Sequence, residues 1–590
     1  MADILWDLTS IYPSVDSDEY REDRDELVRL SADLIKLLEG AGAAEVESRD
    51  WFSRALVFLN RLSDLSENLS SYIYGLWSVD TSDERTQGEM DALEECSLGV
   101  KDAFVRFRSL LPGIEKWEEF ISDNQISTYA GWLEEQRFLA GRQMSPGEEA
   151  LAADLQRSGG DAWERLHARL SSELSRPWDE GEKTVTQLRA LAYDPDREVR
   201  RRAWKEECAA WEGAELSFAA ALNGVKGTTV TLNARRGWGS TLEKSLAQNR
   251  ISRTALDAML GVMNESLPLF RRYFRSKAEK LGLEKLAWYD LFAPLPDEKG
   301  ASDISWSWER LSTFIPEMFD TLSPEMGDFA RRAFSRGWID GTPRKGKLGG
   351  AYCIHLPLPG ESRIFCNFDG SFDSVSTVAH ELGHAWHGEV MKDLPGLKRD
   401  YPMTLAETAS IFSETLVFRA ALEQTPASGR AGIIDTYLMG ASQVIVDILS
   451  RFHFESALMR RRPGGELSPA ELREMMLDAQ ERTYGNALEE GAGHEWMWAV
   501  KGHYYSPDLS FYNFPYAFGQ LFALGLYSRF REEGSSFAPR YRELLRLTGS
   551  ADGLSVGKAA GFNIESPDFW RQGMDALREF IGEFEKIPGG

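Results

Sequence analysis

The 590-residue chain is 43% hydrophobic and 27% charged, which suits a globular protein with a large core and more than one structural unit. Its 93 acidic and 67 basic residues give a net charge of −26; this argues against binding a nucleic-acid backbone through clustered Lys and Arg, and leaves room for an acidic cavity suited to basic peptides. The four cysteines, Cys96, Cys208, Cys353 and Cys366, are too few and scattered for a disulfide framework and lack C-x-x-C spacing, so free thiols are expected.

At the start, Met1-Ala2-Asp3-Ile4-Leu5-Trp6-Asp7 carries neither a positive region nor an apolar run, so no secretory signal is expected. The most apolar late stretch, 517–527, is too short to span a bilayer and holds Gly519, Gln520 and Gly525. A cytoplasmic chain without a membrane partner is the expectation. Leu27, Leu30, Leu34, Leu37 and Leu38 recur at helical spacing, with Gly40 placed to end the helix. A second stripe runs from Ala55 through Leu59, Leu62, Leu65, Leu69 and Ile73 to Leu76. His167, alone in a polar helix, reads as a surface histidine.

A turn at Asp194-Pro195-Asp196 sets a boundary, dividing the chain into an N-terminal helical lobe, 1–194, and a catalytic part, 195–590. Helices are expected over 199–208 and 214–232, and exposed loops around Pro294 to Gly300 and over 341–350. The runs 351–356 and 363–368 are β-prone and predict a hairpin. Such a strand beside an active site can pair with an extended peptide, for which Gly350 and Tyr352 are the candidates; it can equally brace the next helix.

That helix holds His380-Glu381-Leu382-Gly383-His384. Histidines four apart stand one above the other on a helix, so both imidazoles can reach one metal ion. Glu381 lies roughly 100° around the axis from His380, beside the metal without ligating it. The set suits zinc chemistry: neutral nitrogens, an open position for water, and a carboxylate base. The extended zinc-protease pattern needs Gly and His three and six positions after the second histidine, where this chain has His387 and Val390. His387 lies about 10 Å along the axis from His380, at roughly 1.5 Å per residue, so a supporting or packing role is expected. In the next apolar segment Glu407 and Glu414 are seven apart on one helix face, with small Ala406, Ala409 and Ser410 alongside. Paired acids on an apolar helix need partners. Glu407 is assigned as the third ligand and Glu414 as the acceptor that orients a ligand histidine.

Later, 433–460 reads as a long helix ending in a solvated arginine run, and a Gly-, His- and Tyr-rich stretch begins near Glu490. The segments His380-Glu381-Leu382-Gly383-His384-Ala385-Trp386-His387 and Leu405-Ala406-Glu407-Thr408-Ala409-Ser410-Ile411-Phe412-Ser413-Glu414, together with the opening Ile4-Leu5-Trp6-Asp7-Leu8-Thr9-Ser10-Ile11-Tyr12-Pro13-Ser14, resemble the oligoendopeptidase F branch of the thimet oligopeptidase-like zinc metallopeptidases. The resemblance implies a mainly helical, two-lobed shell around a deep channel, with a small sheet next to the metal helix. It also implies one Zn²⁺ held by His380, His384 and Glu407, short peptide substrates, and no nucleic-acid partner. His503 would match a family histidine that, with following tyrosines, stabilises the oxyanion; Tyr512 and Tyr516 are the candidates. The expected activity is endopeptidase cleavage through a zinc-bound water with Glu381 as general base. A C-terminal exopeptidase of the same chemistry and a non-catalytic peptide-binding helical protein stand as alternatives.

Overall fold

The computed structural model describes residues 3–296 and 306–588, so the Gly300 end of the loop expected after Pro294 lies outside the described residues. Helices dominate, with two small sheets. Two compact units emerge, each drawn from three stretches: Met1–Pro146, Ser305–Ala420 and Arg529–Phe562 form one, and Gly147–Ile304, Ala421–Ser528 and Asn563–Gly590 the other. The cut at 194/195 is thus a division of sequence, whereas the units in space interleave along the chain.

In the first unit, helices Asp18–Glu39, Arg49–Val79 and Glu84–Leu110 pack together. The first starts at Ser17, whose hydroxyl accepts from the Tyr20 amide, has Asp18 and Glu19 in its first turn, and stops at Gly40. The leucine stripe of the second does what its periodicity predicts: Leu59, Leu62, Leu65 and Leu69 are buried, each worth about 1.5–3 kcal/mol of burial. A three-stranded sheet follows, with Glu361–Phe365 central, Ile339–Asp340 parallel to it and Tyr352–Leu356 antiparallel. Cys353 pairs with Ile364 and His355 with Ser362. The expected hairpin forms, its second strand starting two residues early at Glu361. All four cysteines are free.

The helix Phe372–Met391 carries the two-histidine motif and is called the motif helix below. Ser371 caps it by accepting from the Ser374 amide, and its apolar residues Val375, Val378, Leu382, Ala385, Trp386 and Val390 are buried. It packs on the sheet and against Met403–Gln424. Gly383 makes the second contact possible: a Cβ there would stand 2.5 Å from the Ala409 carbonyl oxygen, 2.5 Å from Ser410 Cα and 2.8 Å from Ser413 Oγ.

The second unit corrects two expectations. The helices expected over 199–208 and 214–232 are one, Arg197–Arg235; the intervening Gly213 meets open space, and a solvent-facing glycine costs a helix only about 1 kcal/mol relative to alanine. His167 is not on the surface. It is 6% exposed, with Nε2 2.7 Å from the Ala499 carbonyl oxygen and its ring stacked on Tyr505 at 3.8 Å. Polar sequence neighbours misled because burial was decided by a segment over 300 residues away. Among the described residues one helical run, Gly429–Gly464, is long and apolar enough to cross a membrane, and 61% of its apolar window is buried inside the protein, as in a core helix. Of the arginines at its end, Arg461 pairs with Glu471, and Arg462 donates to the Asn223 carbonyl at 3.0 Å.

Candidate metal centre

Donor atoms of His380, His384 and Glu407 all lie within 4.8 Å of one another. Glu407 Oε2 stands 3.2 Å from His380 Nε2 and 3.4 Å from His384 Nε2. Ligands about 2.1 Å from a tetrahedral zinc ion are separated by roughly this much. The two histidines come from successive turns of the motif helix, and Glu407 comes from the helix that Gly383 admits. Ser410, one turn beyond Glu407, donates to the same carboxylate oxygen at 2.8 Å.

Glu414 sits where its spacing from Glu407 predicted. Its Oε2 is 3.2 Å from His380 Nδ1, and its Oε1 accepts from Ser376 Oγ at 3.1 Å. Fixing Nδ1 as the protonated nitrogen turns the Nε2 lone pair toward the ligand cluster. Ser376, and the hydrogen bond made by Ser410, were not anticipated from the sequence, although each serine lies one helical turn from a proposed ligand.

Burial opposes charge on His380, yet its hydrogen bonds to Glu407 and Glu414 hold its pKa well above the usual range. Burial would raise Glu407, and the two imidazoles hold it well below the usual carboxylate range. Glu381 behaves differently: it is 5% exposed, and burial raises its pKa against the pull of His380 and His384. Its Oε2 is buried without a hydrogen-bond partner among the described residues. Two imidazoles and one carboxylate on a common point, with an unengaged carboxylate oxygen on the same helix, fit a zinc ion that keeps an open position. They do not fit a closed four-ligand site.

The flanking residues sort clearly. His387 is a packing residue, with Nε2 2.8 Å from Thr548 Oγ1 and its ring stacked on Tyr401 at 4.2 Å. His355 lies in the strand, its Nδ1 3.0 Å from Ser362 Oγ and its Nε2 3.1 Å from the Tyr401 hydroxyl. The Tyr352 side chain is committed to packing: it stacks on Phe365 at 4.8 Å and its hydroxyl bonds Ser78. Any contribution of this strand to peptide binding therefore falls to its main chain. Tyr352–Leu356 is the edge strand, with no partner strand on its outer side among the described residues. Gly350 precedes it, exposed and with φ +85°. In the other unit, the His503 ring is 6.2 Å from that of Tyr512, and the Tyr516 hydroxyl donates to the Tyr512 hydroxyl at 3.1 Å. Burial, helped by Arg451, Lys501 and Lys226, lowers the His503 pKa to about 2, so the ring is neutral; its Nε2 is buried without a partner among the described residues.

Comparison with known proteins bears on both units. The family described as Oligopeptidase F matches residues 113–175, and Peptidase family M3 matches 190–576. The chain is similar to the oligoendopeptidase F homolog of Lactococcus lactis subsp. lactis (strain IL1403), 23% identical over 99% of this chain and 97% of that protein. It is 24% identical to oligopeptidase PepF of Bacillus subtilis (strain 168), over 99% of this chain and 87% of the other. In fold it is similar to a solved chain from Chlamydophila abortus, with TM-score 0.82 at 20% identity over 99% and 98% of the two chains. The crystal structure of oligoendopeptidase-F from Enterococcus faecium gives 0.72 at 19% identity over 96% and 98%. The first of these family matches stops short of the metal centre, but the second takes in every residue of it; the chain belongs to peptidase family M3 and is a metallo-oligopeptidase.

Proposed function

We propose that the chain is a cytoplasmic zinc-dependent oligoendopeptidase that hydrolyses internal bonds of short unfolded peptides, with one Zn²⁺ held by His380, His384 and Glu407. One observation carries the reading: three donors suited to zinc converge while Glu381, buried on the same helix, keeps a carboxylate oxygen unbonded among the described residues. A purely structural zinc site is closed by its protein ligands and has no use for such a base. A peptide-binding protein without catalysis would not need one either.

When bound, zinc would act as a Lewis acid, polarising the scissile carbonyl and lowering the pKa of water in its remaining position. Glu381 takes the proton that the attacking water gives up. As the C–N bond breaks, it hands that proton to the leaving amine, so the carboxylate ends as it began. Glu414 keeps the His380 ring in the tautomer and orientation that present Nε2. Family likeness gives His503, Tyr512 and Tyr516 the role of neutral donors to the oxyanion, and a neutral buried imidazole suits that role. The outer edge of Tyr352–Leu356, next to Gly350, would take the peptide main chain as an added strand, which binds peptides with little regard to sequence.

The test uses a quenched fluorescent peptide and the masses of its products. Internal cleavage is expected, lost with a chelator and restored by zinc. Glu381→Gln is expected to keep its metal by elemental analysis while losing about 10²–10⁴ in turnover. Stepwise release of C-terminal dipeptides would reassign the activity to an exopeptidase, and hydrolysis indifferent to chelation would sink the proposal.

A further inference from the structure

The Arg49–Val79 helix carries two stripes. Its leucines enter the core, whereas Ser63, Ser66, Glu67 and Ser70, at i, i+3, i+4 and i+7, line a cavity of ≈ 550 Å³. The cavity is also lined by apolar Val100, Phe104 and Trp132 and by residues of the 396–401 segment. Ser70 is exposed and marks the mouth. A narrow second cavity of ≈ 30 Å³ shares Glu67, His355, Arg399 and Tyr401 with the first and reaches Gly388. Gly388 lies one turn beyond His384 on the motif helix, about 6 Å along its axis. The motif helix itself therefore walls the smaller cavity, one turn past a proposed ligand.

Glu67 sets the chemistry. It is half-buried and has neither a hydrogen bond nor an ion pair among the described residues. Arg399, which lines the same cavity, is committed to Asp64 and to the Leu394 carbonyl oxygen at 3.0 Å. Burial pushes the Glu67 carboxyl up to about 7, an effect that Arg399 only partly offsets. A half-buried carboxylate whose neighbouring guanidinium is engaged elsewhere is costly to keep charged, and a cation entering the cavity would lower that cost. The surrounding walls suit the rest of such a group: aromatic and aliphatic surface for methylenes, and hydroxyls for the remaining N–H donors.

We propose that this cavity is a subsite for a cationic group of the bound peptide, a lysine or arginine side chain whose stem lies on Phe104 and Trp132 and whose head meets Glu67. The proposal rests on the reading of the chain as a peptidase. A peptide's α-ammonium offers Glu67 the same chemistry, and the test separates the two sources.

The experiment uses the full-length zinc enzyme and quenched peptides that differ at one position, lysine against its uncharged isostere norleucine. The position is scanned along both sides of the cleaved bond, with free and acetylated N-termini. At one position lysine is expected to exceed norleucine in kcat/KM, with the difference carried by KM. Glu67→Gln is expected to lower that lysine-to-norleucine ratio roughly tenfold or more, as loss of a shielded charge partner does. Ser70→Lys, which puts a cation at the exposed mouth, is expected to lower the same ratio and serves should Glu67→Gln fail to fold. If the Glu67-dependent loss follows acetylation instead of the lysine replacement, the cation is the α-ammonium. Ratios unchanged at every position in either folded variant, with free or acetylated peptides, would overturn the subsite. Failure of the unsubstituted enzyme to cut even the norleucine peptides would overturn the peptidase reading itself.

Discussion

Glu381, Glu407 and Glu414 are three acids beside the same pair of imidazoles, and their partners give each a different task. Glu407 is held ionised by both rings, Glu414 grips the far nitrogen of one, and Glu381 is left with an oxygen to spare. Replacing Glu414 by alanine removes the acceptor at His380 Nδ1 and frees the ring to turn. Zinc affinity, measured by competition with a chromophoric chelator, is expected to fall about 10- to 100-fold while the melting curve keeps its shape. These three acids could be read from the sequence because each lies at helical spacing from another member of the cluster. Glu67 could not: within its own helix it is an acid flanked by serines one turn after Asp64, and its meaning depends on residues 396–401, over 300 positions later. His167 failed for the same reason.

The motif helix and its neighbour approach so closely only because position 383 has no side chain. Gly383→Ala would place a methyl group within contact of the Ala409 carbonyl oxygen and Ser410 Cα, which are backbone atoms that cannot swing aside. The helices must then separate, carrying Glu407 away from the histidines. The variant is expected to lose about 1–3 kcal/mol in chemical denaturation and to hold less than one zinc per chain. A binding loss with no change in stability would show that the contact positions the ligand without supporting the fold. Helix-level reading of the sequence found the hairpin and the leucine stripes because their periodicities are local. It broke the long Arg197–Arg235 helix between 208 and 214, a gap that the helix runs straight through, with Gly213 there facing open space.

At the scale of the molecule, periodicity says nothing about which distant stretches gather, and here each unit collects three. The proposed ligands come from one stretch, but the far end of their helix is braced by another. His387 meets Thr548, and Arg546 donates to the Val390 carbonyl at 2.7 Å. A chain stopped at residue 528 lacks this brace and is expected to retain less than stoichiometric zinc after dialysis; full retention would show that the 529–562 stretch is dispensable to the centre.

The same brace has a consequence during synthesis. Translation delivers the histidines well before residues 546–548 leave the ribosome, so the motif helix emerges without these two contacts. Where the chain stopped at residue 528 fails to hold zinc, the centre is completed only once residues 546–548 have been made.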